Sequence, residues 1–196
     1  CLTASYGFED LAGLKAGDRV LVHAATGGVG LAAVQLARLL GAEVFATAGS
    51  EAKRERLRAM GIRHVHDSRS LAFRDEIRAA TGGHGVDVVL NSLAGEAIPR
   101  SLSTLRSYGR FLEIGKRDIY QNSRVGLRPF RNNLSYFAID LARTMQDRTA
   151  LVATIFGELM SHFRARSLRP LPLRVFPAGA VVRAFRCMAQ AKHVGK

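Results

Sequence analysis

The sequence predicts an α/β fold: a doubly wound parallel sheet of six strands with helices on both faces. Three observations carry that expectation. From Arg19 to about Asp140 short apolar runs alternate with amphipathic stretches, the pattern of parallel strands joined by crossover helices. One run, Arg19-Val20-Leu21-Val22, passes through His23-Ala24-Ala25-Thr26-Gly27-Gly28-Val29-Gly30 directly into Leu31-Ala32-Ala33-Val34-Gln35-Leu36-Ala37, so a strand turns through glycines into a helix. At 196 residues the chain is ample for one core, with room for fragments of a second domain.

In chain order, Leu2–Leu14 is expected as a lead-in helix, so that residues 1–18 precede the sheet. The strands fall at about Arg19–Ala24, Glu43–Ala48, His64–Asp67, Val86–Asn91, Arg110–Ile114 and Leu134–Ile139. After the first strand, Val29, Ala33, Leu36, Ala37 and Leu40 recur at helical spacing, and Gly41 supplies the stop. Ser50 is expected to cap a helix ended by Gly61, Ser70 to open one running to Ala80, and Ala94–Leu105 to form another. Right-handed crossovers then give the Rossmann order 3-2-1-4-5-6 over residues 19–166. Lys116 to Asn133 is the longest connection, a length that in compact domains often serves function. Thr149–Arg166 reads as a long helix, Arg169–Pro177 as extended, Ala178–Ala191 as helix, and residues 167–196 as a returning segment that stops at the turn His193-Val194-Gly195-Lys196. The exposed sixth strand invites pairing, which makes a homodimer plausible.

Composition excludes several classes of function. The formal net charge of +13 suggests nucleic acid, but the basic residues are spread over every segment. The lysines are only 15, 53, 116, 192 and 196, and no dense basic run is interleaved with aromatics. A solvated, arginine-rich surface is the preferred explanation, with some of the charge serving phosphates on a cofactor, carrier domain or substrate; no nucleic-acid partner is expected. Cys1 and Cys187 form no C-x-x-C motif and no disulfide framework. No stretch approaches the roughly 20 apolar residues of a membrane span, and no signal peptide is evident, so a cytoplasmic location is expected. His23, His64, His66 and His84 lack cysteine partners at ligand spacing, so no metal site is expected.

The glycine turn is the chemical anchor. A helix N-terminus presents unpaired N–H groups and partial positive charge, and glycines let phosphates approach the main chain. Against G-x-G-x-x-G the chain shows Ala25-x-Gly27-x-x-Gly30, with alanine in the first place. Strand, turn, helix and second strand in the right order favour a dinucleotide over a plain packing turn. An NAD site needs an acid at the end of the second strand, and this strand ends Thr47-Ala48-Gly49-Ser50. Glu51 has a more ordinary role as a first-turn charge. Lys53, Arg54 and Arg69 lie near the second and third strand tips; each alone reads equally well as solvated surface. Together with the Ser50 hydroxyl and the missing acid they favour NADPH over NADH.

These motifs resemble a known family. The run His23 to Ala37 is similar to the cofactor loop of zinc-independent medium-chain reductases. Ala48-Gly-Ser-Glu-Ala-Lys-Arg54, Asp67-Ser-Arg-Ser70, Gly85-Val-Asp-Val-Val-Leu-Asn-Ser-Leu93 and Gly109-Arg-Phe-Leu-Glu-Ile-Gly-Lys-Arg-Asp118 resemble the enoyl reductase domains of type I polyketide synthases and animal fatty acid synthases. Pro129-Phe-Arg-Asn-Asn-Leu-Ser-Tyr-Phe-Ala-Ile-Asp140 and Met188-Ala-Gln-Ala-Lys-His-Val-Gly-Lys196 point to polyketide synthases of mycobacterial type. The resemblance implies NADPH held by Thr26, Gly27, Gly28, Val29 and Gly30 at the pyrophosphate. It places Lys53 and Arg69 at the 2′-phosphate, in agreement with the charge argument that adds Ser50; Asn91, Ser92 and Leu93 along the nicotinamide half; and Gly115 beside the reacting ring. It implies catalytic roles for Lys116, as electrostatic stabiliser or general acid, and for Asp140 as its partner. Without it, Lys116 reads as a surface lysine and Asp140 as a charge opening the next helix.

The implied reaction reduces an α,β-unsaturated acyl thioester on a carrier protein, with the other synthase domains as partners. Such reductases carry a substrate-binding domain of chaperonin-10-like type, so these residues are expected to be the cofactor-binding half and inactive by themselves. A stand-alone quinone or acyl-CoA-linked reductase is the enzymatic alternative. A short-chain ketoreductase is disfavoured, because no Tyr-x-x-x-Lys follows the fourth strand. A nucleotide- or nucleic-acid-binding module is the non-enzymatic alternative, supported only by the charge.

Overall fold

The computed structural model describes residues 1–190 and 193–196. Six parallel strands form one sheet in the order β3-β2-β1-β4-β5-β6. They are β1 (Arg19–Val22), β2 (Glu43–Ala48), β3 (His64–Asp67), β4 (Val86–Asn91), β5 (Leu105–Glu113) and β6 (Ser135–Ala138). The first turn of the chain, α1 (Leu2–Ser5), leads to β1, and α2 (Gly28–Leu39), α3 (Glu51–Ala59), α4 (Phe73–Ala80) and α5 (Ala97–Leu102) make the crossovers. The later helices are α6 (Arg117–Tyr120), α7 (Leu141–Asp147), α8 (Thr149–Arg164) and α9 (Val181–Ala189).

Strand alternation sends side chains to two cores. Val20, Val22, Val44, Ala46, Val88, Leu90 and Leu112 face α2, Phe8, Ile155 and Leu159. Leu21, Phe45, Val89 and Phe111 face Phe73, Ile77, Ile98 and Leu102 from α4 and α5. Burial on both faces explains why β1 and β4 read as continuous apolar runs rather than as alternating ones. Among the described residues no helix is long and apolar enough to cross a membrane.

Several boundaries depart from the sequence expectation, each for a local reason. β1 stops at Val22 because Ala24 turns to φ +47°, although the amides of His23 and Ala25 still donate to Leu90 and Thr47 carbonyls. The lead-in is not one α-helix: α1 passes into wider π-type turns over Tyr6–Leu11, where a Cβ on Gly7 would press within 3.2 Å of Leu112 and Ile139. The helix expected over Ala94–Leu105 is confined to Ala97–Leu102, with Gly95 at φ +64° before it. Leu105 instead begins β5, pairing with Val86 before the chain loops out, Tyr108 at φ +62°, and rejoins at Arg110 opposite Val88. Ser50 holds the N-cap position of α3, but its hydroxyl makes no cap bond. Ser70 accepts from the Ala72 amide, and α4 starts only at Phe73. The long loop contains α6 and a 3₁₀ turn at Arg128–Asn132. The expected end of the last helix, Ala191, lies outside the described residues.

The C-terminal residues return over the sheet. The Gly195 amide donates to the Thr26 carbonyl at 2.9 Å, and Gly27 and Gly195 form an isolated parallel bridge. The Lys196 amide donates to the Pro172 carbonyl and the Arg174 amide to that of Lys196, at 2.9 and 2.7 Å.

One buried polar group needs an account of its partners. His23 follows β1 and is 2% exposed, with Nδ1 2.9 Å from Thr47 Oγ1 and Nε2 2.8 Å from Ser101 Oγ. Ser101 donates its hydroxyl hydrogen to the Ala97 carbonyl, so Nε2 of His23 carries the proton and Nδ1 accepts from Thr47. The ring meets Phe73 edge to face at 5.0 Å. Burial drives its pKa down to about 3, so it is neutral.

Two stability predictions follow from this packing. His23→Leu leaves Thr47 without its partner and should cost about 1–3 kcal/mol in urea unfolding at neutral pH. Because the folded pKa lies below the ordinary 6.5, the wild-type ring contributes stability that is lost as pH falls from there towards 3, and the variant should lose less over that window. Gly30→Ala would set a Cβ 2.5 Å from the Ala24 carbonyl oxygen and 2.6 Å from Ala25 Cα. A loss of about 3 kcal/mol is expected, and unchanged melting would show that α2 can retreat from β1.

Candidate cofactor-binding and active site

All six strands end at one edge, and the sequence-derived candidates lie along it in spatial strand order. Arg69 follows β3, Ser50 and Lys53 follow β2, the glycine turn follows β1, Asn91-Ser92-Leu93 ends β4, Gly115 and Lys116 follow β5, and Asp140 follows β6. From β2 to β5 is three strand spacings, roughly 14 Å, long enough for an extended dinucleotide.

At the centre, Gly27 is the N-cap of α2 in an extended conformation and its amide donates to the Ala24 carbonyl. Gly28, Val29 and Gly30 open the helix, so their amides have no helical carbonyl to serve. The crowding behind Gly30 brings the helix end against β1, and Thr26 is buried beneath the turn. This turn, with bare main chain at Gly28 and Gly30 and the positive end of a helix dipole, is chemically suited to an anion such as a pyrophosphate. Lys196 lies over it, its Cε 2.6 Å and its Nζ 3.3 Å from the place a Gly28 Cβ would take.

Towards β3 the structure divides the basic residues. Arg54 is engaged by acids, pairing with Glu51 at 2.7 Å and Asp67 at 3.0 Å while donating to the Ala48 carbonyl. Glu51 also holds Arg58, and these bonds keep its carboxyl down at about 2. Arg69 covers Gly49, where a Cβ would meet its Nε at 3.3 Å. Burial, and then repulsion from Arg69, hold the Lys53 ammonium below its ordinary pKa. The Lys53 and Arg69 charges thus repel one another across the tips of β2 and β3.

Towards β6, Asn91 is fully buried and folds the β4 tip back on itself: its Nδ2 donates to the Leu93 carbonyl at 2.8 Å, and its Oδ1 accepts from the Leu93 amide at 3.3 Å. Ser92 is exposed and Leu93 half-buried beside it. Lys116 Nζ donates to Asp140 Oδ2 at 2.9 Å. Asp140 also caps α7, accepting from the amides of Ala142 and Arg143, so its helix-opening role and its pairing with Lys116 coexist. The pair's bond raises the lysine pKa and lowers that of the acid, keeping both charged. Lys116, Asp140 and Ile139 line a cleft of about 200 Å³ together with Val29 of the glycine turn. A larger cleft of about 490 Å³, lined by Gly17, Arg38, Glu43 and His64, opens at the opposite ends of the strands.

Two residues at this edge lie outside the candidates drawn from the sequence. Glu113 is buried behind Lys116 and bonded to both Asn91 and the Gly115 amide. A carboxylate inside the apolar run Phe111-Leu112-Glu113-Ile114 was the available signal. Lys196 had none, because its place depends on the returning tail.

Residues 28–158 match the family described as zinc-binding dehydrogenase. The chain is 47% identical over 195 residues to a mycocerosic acid synthase-like polyketide synthase of Mycobacterium tuberculosis, covering 99% of this chain and 9% of that protein. It thus spans about a tenth of that relative's length. Among solved structures, the CurK enoyl reductase is 47% identical with a TM-score of 0.90, over 99% of this chain and 57% of that one. The nucleotide-binding subdomain of the enoylreductase domain of PpsC from Mycobacterium tuberculosis is 44% identical with a TM-score of 0.81, over 86% of this chain and 94% of that one. The residues present do not fit a zinc ion: among the described residues no three His, Cys, Asp or Glu side chains gather, and His23, His64 and His66 are each bonded within the protein. Fold, edge and comparisons agree, and the chain belongs to the zinc-binding dehydrogenase family, in the branch formed by the enoyl reductase domains of polyketide synthases, matching their nucleotide-binding part.

Proposed function

We propose that the chain is the NADPH-binding part of an enoyl reductase that saturates an α,β-unsaturated acyl thioester carried on an acyl carrier protein within a polyketide synthase. The observation that carries this reading is one strand edge along which Lys53 and Arg69 follow β2 and β3, the glycine turn opens α2 in the middle, and the Lys116–Asp140 pair stands after β5 and β6. Arg69, Lys53 and Ser50 hold the 2′-phosphate. The amides of Gly28, Val29 and Gly30 hold the pyrophosphate, with Thr26 and Gly27 shaping the turn that presents them. Asn91, Ser92, Leu93 and Gly115 border the nicotinamide half.

Bound NADPH supplies the hydride that reaches the β-carbon of the enoyl chain. Negative charge then gathers on the thioester oxygen, and Lys116 is the group placed to meet it. Its bond to Asp140 holds Lys116 in the ammonium form, from which it stabilises the enolate oxygen as a positive charge or, as general acid, supplies the proton that the α-carbon takes to complete the saturated chain. Stabilisation that grows as the oxygen becomes anionic lowers the barrier more than it aids binding. The open edge of β6, with Ser135 and Ala138 exposed, supports the homodimer reading.

Two measurements on the full-length reductase test these assignments. Arg69→Ala should weaken NADPH about 10- to 100-fold in a fluorescence titration, the loss of one charge-assisted contact, and leave NADH unchanged. Equal weakening of both would remove Arg69 from the 2′-phosphate. Lys116→Ala should lower kcat for a crotonyl thioester about 100-fold with NADPH affinity held within about threefold. Full turnover would exclude the lysine.

A further inference from the structure

We infer that Glu113 is a positioning residue for this reduction: its buried carboxylate ties the tip of β4 to the loop after β5 and so fixes where Lys116 and Asp140 stand beside the cofactor. The inference rests on the cofactor and Lys116 readings above. Glu113 is 2% exposed and sits where three strand ends meet. Its main chain pairs with Asn91 of β4 and Ala138 of β6, and its carbonyl accepts from the Ile139 amide at 2.8 Å. Its Oε2 accepts from Asn91 Nδ2 and its Oε1 from the Gly115 amide, each at 2.6 Å. The residues after its two anchors, Ser92 and Lys116, are exposed at the site edge.

Both partners are N–H donors, and neither can reverse. Gly115 donates from the main chain, and Asn91 is fixed by its two bonds to Leu93, which a flipped amide would lose. Position 113 must therefore offer an acceptor to each, which an ionised carboxylate does fully; protonation puts a hydrogen on one oxygen and leaves it a poorer acceptor, and an amide replaces one oxygen with a donor. Burial works against ionisation and lifts the pKa to about 7, opposed by the Asn91 and Gly115 bonds and assisted by Asp118 of α6. Tyr136 of β6 also faces it, its own pKa pushed up to about 12 by burial and by Glu113, and Lys116 three residues on is charge-paired with Asp140. Protonation therefore weakens one of the two ties. The same bonds are unrelated to the glycine turn and the 2′-phosphate spot, which lie across β1 and β2.

The test is Glu113→Gln beside wild type in the full-length reductase between about pH 6 and 8.5, followed by NADPH fluorescence titration, single-turnover reduction of a crotonyl thioester and thermal melting. Expected are an NADPH affinity within about threefold of wild type and a single-turnover rate lowered about tenfold or more at pH 8. The wild-type rate should rise with pH through about 7, and that rise should be absent from the variant. Melting should separate in the opposite sense: ionisation of a buried acid costs the wild type stability as pH rises from its ordinary 4.5 through about 7, and the variant escapes this slope. A variant rate equal to wild type, or a parallel collapse of affinity, rate and melting, overturns the positioning role. A flat wild-type rate profile overturns it without any variant. Failure of wild type to bind NADPH instead overturns the cofactor reading, and this inference with it.

Discussion

The site depends on how closely the start of α2 approaches the end of β1. Gly30 lies where no Cβ fits, and that close approach seats the first turn of α2 against the end of β1. The left-handed turn at Ala24, the buried Thr26 and the returning Gly195 all serve the same junction. The parallel sheet then multiplies its effect, because every strand delivers its C-terminal residues to that one edge.

Two buried titratable groups show the same problem solved in opposite ways. His23 lies inside the molecule between two hydroxyls and a phenyl ring, and burial simply removes its charge. Glu113 lies at the rim between two N–H donors that reward the charged form, so burial and hydrogen bonding pull against each other and leave its titration near neutrality. The first arrangement is a structural bond that happens to involve a histidine. The second keeps a titratable joint under the residues that border the cleft.

The sheet was legible because parallel strands buried on both faces leave long apolar runs, and because glycines mark where the chain must turn. Strand order and nearly all strand positions follow from those signals. The errors fall where backbone conformation departs from periodicity. Leu105 looks like the last turn of a helix and is the first residue of a strand, since Tyr108 loops out behind it. The lead-in segment has helical spacing yet widens into π turns against Leu112 and Ile139. Ser50 has the right residue type for a cap and makes no cap bond. Arg54 and Lys53 are neighbours of one charge, and the pairing of Arg54 with Glu51 and with Asp67 of the adjacent strand sets the structural arginine apart from the lysine that feels the Arg69 charge.

By itself the sequence determined the α/β alternation, the glycine turn and the absence of an acid at the tip of β2, because each is a property of neighbouring residues along the chain. The tertiary structure decided which side chains act together. Lys116 meets Asp140 across 24 residues, Asn91 meets Glu113 across 22, and the last residues cross the turn at the first strand. Sheet order makes these pairs adjacent, and the geometry of hydrogen bonds, two acceptors set against two fixed donors, gives Glu113 a place that no local pattern announces.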